Sequence, residues 1–212
     1  MCAYTALVIV QAPGLEIVAE VPAFPSSRVG PYRRAHYLSL PDEPRCELLN
    51  GRLYRMAPPR PLHQIVAFVL WQRLDAQAVA HGGLALGAPV AITLSDHSVV
   101  QPDVIYLARR VRSEEIEGEI DGLPDLVVEV LSPGSVRRDR GEKLHLYAAA
   151  GVAEYWIVDP AARQIDFLIL PAGARRFRVA LAEEGVYRSG LLSEISLDIA
   201  DLWREVDLRI GK

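Results

Sequence analysis

The chain has 212 residues, half of them hydrophobic and 24% charged, which is ample for one buried core and excludes a disordered or fibrous polypeptide. Its two cysteines, Cys2 and Cys46, show neither pairing nor metal spacing, which excludes a disulfide scaffold and points to a reducing, cytoplasmic compartment. The formal net charge of −4 excludes a uniformly basic nucleic-acid binder but not one that works through a local patch.

Residues 1–10 are apolar, yet no basic residues precede them and no small-residue cleavage site follows, so neither a signal peptide nor a membrane span is expected. Residues 1–34 hold Pro13, Pro22, Pro25 and Pro31 without sustained periodicity and read as an irregular arm ahead of a single domain over 35–212. A short helix over 35–40 should stop near Pro41. The runs 45–49 and 52–56 flank Asn50-Gly51, the dipeptide favoured in a type I′ turn, and predict a β-hairpin that Pro58, Pro59 and Pro61 end. From 62 to about 80, Ile65, Val66, Val69, Leu70 and Leu74 recur at helical spacing, and Gly82-Gly83 closes that helix. The runs 84–94 and 99–108, separated by the turn-prone 95–98, predict two strands, while the charged stretch 109–121 should be solvated.

Residues 125–131 form a compact β-run with apolar residues on both faces, as expected of a central strand. Ser132-Pro133-Gly134-Ser135 breaks it, 138–150 reads as a helix stopped by Gly151, and 154–158 is a further strand ended by Asp159-Pro160. A strand–helix–strand unit of this kind implies a parallel pair with a right-handed crossover. Residues 163–170 and 176–182 suggest a closing antiparallel hairpin, whose edge could pair with a second copy in a homodimer.

Two carboxylates stand inside apolar strand patterns: Asp103 in Gln-Pro-Asp-Val-Ile-Tyr-Leu and Glu129 in Leu-Val-Val-Glu-Val-Leu. Burying an unpaired carboxylate costs several kcal/mol, so something must compensate. A divalent cation does so directly, and magnesium prefers one or two carboxylates together with waters and phosphate oxygens, a set suited to phosphodiester hydrolysis. A salt bridge to a nearby arginine is the structural alternative. By strand parity Glu129 shares a face with Val127 and Leu131, away from Val128 and Val130. Lys143 lies in the following helix, which begins near the C-terminal end of that strand, so its ammonium could return to Glu129 and stabilise developing negative charge; otherwise it is a solvent-facing helix lysine. Tyr147, one turn on, shares its helical face and reads as a packing residue. Four basic side chains, Arg137, Arg138, Arg140 and Lys143, stand against Asp139 and Glu142 in the one locally basic run.

The succession Glu47-Leu-Leu-Asn-Gly51, His63, Pro102-Asp103, Asp125-Leu-Val-Val-Glu-Val-Leu-Ser-Pro133, Lys143 with Tyr147, and Gly151-Val-Ala-Glu-Tyr-Trp-Ile-Val-Asp-Pro160 resembles the Uma2 family of restriction endonucleases, within the PD-(D/E)XK nuclease superfamily. The resemblance runs from about residue 35 to 170 and is most specific over 125–160. It implies an α/β fold, with a restriction-endonuclease-like mixed central sheet flanked by helices. It also implies cleavage of DNA with Mg2+ (or Mn2+) as cofactor, Asp103 and Glu129 at the metal, and Lys143 in the lysine role. Glu47 could serve a second metal or a water, or be a surface strand residue. His63 could ligate, shuttle a proton or cap its helix. One departure stands out: the superfamily places its lysine two residues after the acid, where this chain has Leu131. Either Lys143 supplies that charge from the helix, or the chain is an inactive nuclease fold that binds DNA or a protein partner.

Overall fold

The structure is a computed structural model and describes residues 29–41, 43–116, 120 and 122–212. The proposed arm up to residue 28, with Cys2, lies outside the described residues. Helix α1 (Arg34–Leu38) leads into the hairpin of β1 (Cys46–Leu49) and β2 (Arg52–Arg55). Its turn has the expected form, because Asn50 (φ 48°) and Gly51 (φ 76°) both take left-handed backbone, as a type I′ turn requires. Gly51 is also irreplaceable on space: a Cβ there would meet the Gly30 carbonyl oxygen at 2.3 Å. The long helix α2 (Pro61–His81) starts on a proline, whose missing N–H costs nothing at a first turn, and ends on left-handed Gly82.

The next segment departs from expectation. The two runs anticipated as single strands are each divided, giving β3 (Leu84–Gly87) and β4 (Ile92–Ser95), then β5 (Ser98–Val100) and β6 (Val104–Leu107). The outer pair, β3 with β6, joins a six-stranded sheet; the inner pair, β4 with β5, joins the hairpin in a four-stranded sheet of order β2-β1-β5-β4. Pro89 and Pro102 lie in the gaps, where the chain passes between sheets and a ladder donor is not needed. Asp103 occupies the last residue before β6, at this crossing.

A second correction concerns 109–121, which is not wholly solvated. It contains the short helix α3 (Ser113–Ile116), and Glu115 is 4% exposed. The Arg109 guanidinium holds that carboxylate in a fork, at 2.6 and 3.0 Å, and the Arg112 N–H adds a third bond at 3.0 Å. Arg109 and Arg112 satisfy the Glu115 carboxylate, which is what permits its burial.

Then come β7 (Leu126–Val130), a π-helical turn (Arg138–Lys143) running directly into α4 (Leu144–Ala150), β8 (Glu154–Asp159), β9 (Gln164–Ile169), β10 (Arg178–Ala180), a small hairpin of β11 (Val186–Arg188) with β12 (Ser196–Asp198), and α5 (Ile199–Ile210). The large sheet has the order β10-β9-β8-β7-β6-β3. Its β7–β8 pair is parallel, as the crossover demands, and its other pairs are antiparallel. The short β10 forms one edge of this sheet. On one face, Val128, Val130 and Trp156 pack against Val66 and Leu70 of α2 and Trp203 of α5. On the other, Val127, Leu131 and Tyr155 pack against Leu144 and Tyr147 of α4 and Leu49 and Ile92 of the small sheet. Glu129 lies on this second face, with Val127 and Leu131.

A carboxylate away from that face also matters to stability. Glu154 is fully buried and accepts the Trp156 indole N–H at 3.0 Å, the Tyr187 hydroxyl at 2.9 Å and the Ser189 hydroxyl. Burial raises its pKa, with the three donors opposing the rise. The folded state thus holds this proton more readily than the unfolded chain. Glu154 favours folding most at acid pH, and that contribution is lost as pH climbs through the raised value. Glu154→Gln keeps an acceptor for Trp156 and Tyr187, so it should flatten this part of the pH dependence in melts between about pH 5 and about pH 8. Glu154→Ala removes the acceptor of all three donors and should cost about 3 kcal/mol. Equal melting of wild type and Glu154→Ala would remove the network from the stability of the fold.

Candidate functional site

Glu129 projects from the middle of the large sheet and is 4% exposed. Its Oε1 accepts two hydrogen bonds, from the Lys143 ammonium at 2.8 Å and from the Tyr147 hydroxyl at 2.8 Å. Both donors come from the helical segment after β7, so the crossover delivers them onto the strand it leaves. The π-helical turn opens the backbone just before α4, and such turns recur where a side chain must be re-aimed. Lys143, 3% exposed, is therefore not the solvent-facing lysine that its sequence context alone would favour.

The same ammonium reaches Glu47 Oε1 at 2.7 Å. Glu47 lies on β1 of the small sheet, is 1% exposed, and is fixed further by the Gln101 backbone N–H at 2.8 Å. It is not a surface strand residue. Asp103 closes the other side: its Oδ2 accepts the Val130 N–H at 2.8 Å and pairs with His63 Nε2 at 3.1 Å. His63 stands in the first turn of α2, and its Nδ1 is buried without a partner. It does not cap α2, whose N-cap is Arg60. All five residues singled out from sequence thus converge where the two sheets meet α2 and the crossover.

One member was not anticipated. Asp139, 1% exposed, lies one turn before Lys143 and places Oδ1 3.7 Å from its ammonium, with no hydrogen bond to that oxygen. The i, i+4 spacing was visible, but Asp139 sits among arginines in a run that reads as a basic surface. In fact the run divides. Asp139 and Lys143 turn inward, Arg140 pairs with Asp166 at 2.5 Å, Arg138 lies over the Tyr54 ring at 5.7 Å, and Arg137 is exposed.

The electrostatics follow from four carboxylates gathered around one ammonium and one imidazole. Burial pushes the Glu129 pKa well up; Lys143 opposes this, and Asp139, Asp103 and Glu47 push it further. Burial likewise raises Asp139, against the pull of Lys143 and Ser135. Burial disfavours the charged form of Lys143, but Glu129, Glu47 and Asp139 outweigh it and hold the amine protonated above its usual range. At His63 burial is again the largest influence and lowers the pKa, yet the Asp103 carboxylate prevails and raises it. Every one of these shifts favours added positive charge.

That surplus is the physical test of whether a divalent cation suits the site. Among the described residues no three His, Cys, Asp or Glu side chains stand ready as a metal cage. Magnesium needs only one or two carboxylates and takes its other ligands from water and phosphate. The protein's bonds fall on Oε1 of Glu129 and Oδ2 of Asp103, so the second oxygen of each carries none of them. One oxygen on each of Asp103 and Glu129 is thus left for such an ion.

A family model described as "Uma2: Putative restriction endonuclease" matches residues 34–200. The chain belongs to the Uma2 family. This membership accounts for the resemblance noted in the sequence and supports a nuclease function. The fold agrees: a crystal structure of "a putative nuclease belonging to DUF820" from Anabaena variabilis aligns with a TM-score of 0.68 at 20% identity, covering 83% of this chain and 99% of that one. At that identity the likeness shows a shared nuclease-type fold. No curated protein matches the sequence. In this Uma2 chain Leu131, 7% exposed, packs in the core, and the amine at Glu129 comes from Lys143.

Proposed function

We propose that the protein is a divalent-metal-dependent endonuclease that hydrolyses phosphodiester bonds in DNA. The observation that carries this reading is the buried meeting of Glu129, Glu47 and Lys143, with Asp103 tied to the next residue of the same strand through the Val130 N–H. Asp103 and Glu129 would hold Mg2+, with Mn2+ as a substitute. A cation held there supplies Lewis acidity toward the scissile phosphate and lowers the pKa of water near neutrality.

The chain's own groups have distinct tasks. Lys143 donates to Glu47 and Glu129 and keeps both carboxylates oriented toward one centre. Its compact positive charge lies beside the group on which negative charge develops, where a preorganised donor acts most strongly. Tyr147 fixes Glu129 from the same side. His63, held by Asp103 at 3.1 Å, orients that carboxylate and has a ring able to pass a proton near neutral pH.

DNA would approach along the π-helical turn. Arg137, Arg138 and Arg52 surround Glu142 there closely enough to stabilise its charge. Arg137 is exposed and suits contact with the phosphate backbone. Arg137→Ala should weaken duplex binding for all sequences alike and reduce the log–log salt slope by about 1. An unchanged slope in fluorescence anisotropy would place the phosphate contacts elsewhere.

The decisive assay is supercoiled plasmid incubated with Mg2+, Mn2+ or chelator. Nicked or linear product in either metal and none with chelator is the expected result. If duplex is bound but never cut in any divalent metal, the protein is a nuclease-fold binder. The acidic net charge and Leu131 are the features that favour this second reading.

A further inference from the structure

We propose that the Lys143 ammonium occupies the place of a second divalent cation, so that each site takes a single metal ion. Three carboxylates from three separate elements face this ammonium: Glu47 of β1 at 2.7 Å, Glu129 of β7 at 2.8 Å, and Asp139 of the π-helical turn at 3.7 Å. All three side chains are 5% exposed or less. A lysine that needed only neutralising would be served by one of them, because each further buried carboxylate adds desolvation cost and mutual repulsion.

Asp139 makes the argument specific. Its side chain is 2% exposed and Oδ1 has no hydrogen-bond partner, yet it points at the ammonium from beyond hydrogen-bond reach. A buried acceptor left unbonded is costly and calls for a reason. Geometry suited to a doubly charged ion would explain it: the carboxylate completes a three-acid set whose present occupant carries a single charge and two short contacts. Phosphodiesterases with two metals commonly hold them about 3.5–4 Å apart, with shared carboxylate ligation. Here Glu129 would be shared between one metal and an ammonium. The first ion of this count rests on the metal reading given above; the substitution of ammonium for the second does not.

The test is a Mn2+ titration of the full chain, followed by the electron paramagnetic resonance of free Mn2+. Lys143→Ala should bind one ion more than wild type, and Lys143→Ala with Asp139→Asn should lose that extra ion. Mn2+ should also raise the melting temperature of Lys143→Ala by more than that of wild type. Two ions on the wild-type chain, or equal counts on wild type and Lys143→Ala, overturn the proposal. If Lys143→Ala is unfolded without metal, recovery of its fold in Mn2+ supports the proposal, and failure to recover overturns it. Wild type binding no Mn2+ while Lys143→Ala binds one would remove the Asp103–Glu129 metal reading and with it the single-ion count, and would leave only the ammonium in the place of a cation.

Discussion

Lys143→Ala is expected to lower Mg2+-dependent plasmid cleavage by at least about a hundredfold, the scale of losing one preorganised charge donor. It should also cost about 3–5 kcal/mol of stability, because it removes one partner from a buried ionic cluster and leaves the others uncompensated. Alanine is an excellent helix former, so the backbone propensity at 143 is not the source of the loss. The source is Glu47, Glu129 and Asp139, which without divalent metal would face one another with no cation between them. Lys143→Arg should restore stability in part and cleavage poorly, since a planar guanidinium does not reproduce a point charge in a cavity shaped for one. A sharper variant adds Leu131→Lys to Lys143→Ala. Leu131 lies two residues beyond Glu129 on the same sheet face, so an amine grafted there has a short path to the same carboxylate. Partial rescue would show that the position of the amine, and not its place in the chain, governs activity. Undiminished cleavage by Lys143→Ala would end the role assigned to Lys143.

The parts of this architecture that were legible in the sequence are those encoded by local backbone chemistry or by an uninterrupted apolar run. Asn50-Gly51 dictates its own turn, Gly82 and Gly151 take left-handed backbone at the ends of their helices, and β7 is apolar on both faces because it is buried on both. The parity of β7 also placed Glu129 on the correct face, and a helix following a parallel strand returned Lys143 to it. What escaped depends on partners far away in sequence. The runs 84–94 and 99–108 look continuous, and only pairing with β1 on one side and β7 on the other divides them between two sheets. Asp139 looked like part of a charged surface because its burial depends on Lys143 turning inward to Glu47 and Glu129, which lie on two different sheets. Glu115 was hidden for a different reason: its partners, Arg109 and the Arg112 backbone, are local, but a run of charges does not say which of them turn inward to one another.

Glu129→Gln should have the opposite sign in stability and the same sign in activity. The wild-type cluster holds more carboxylates than cations, and burial together with Asp139, Asp103 and Glu47 raises the Glu129 pKa despite Lys143. The folded protein therefore takes up a proton at Glu129 more readily than the unfolded chain does, and Glu129 weakens the fold as pH rises through that raised value. A neutral amide removes the penalty and retains an oxygen to accept from Lys143 and Tyr147. Stability should rise by about 1 kcal/mol, the usual scale when a strained functional site is relaxed. Cleavage should fall by about a thousandfold, because the carboxylate that anchors the cation and faces the amine is gone. Asp103→Asn should act likewise on activity, since its amide still accepts the Val130 N–H while its pairing with His63 weakens. Combining Asp103→Asn with Glu129→Gln should abolish the Mn2+ binding that calorimetry is expected to detect in wild type. A double variant that binds Mn2+ as wild type does would remove these two carboxylates from the metal. A Glu129→Gln variant that melts lower than wild type would show instead that the ionised cluster holds the fold together, and that its surplus of negative charge is not the stored cost from which a cation gains its affinity.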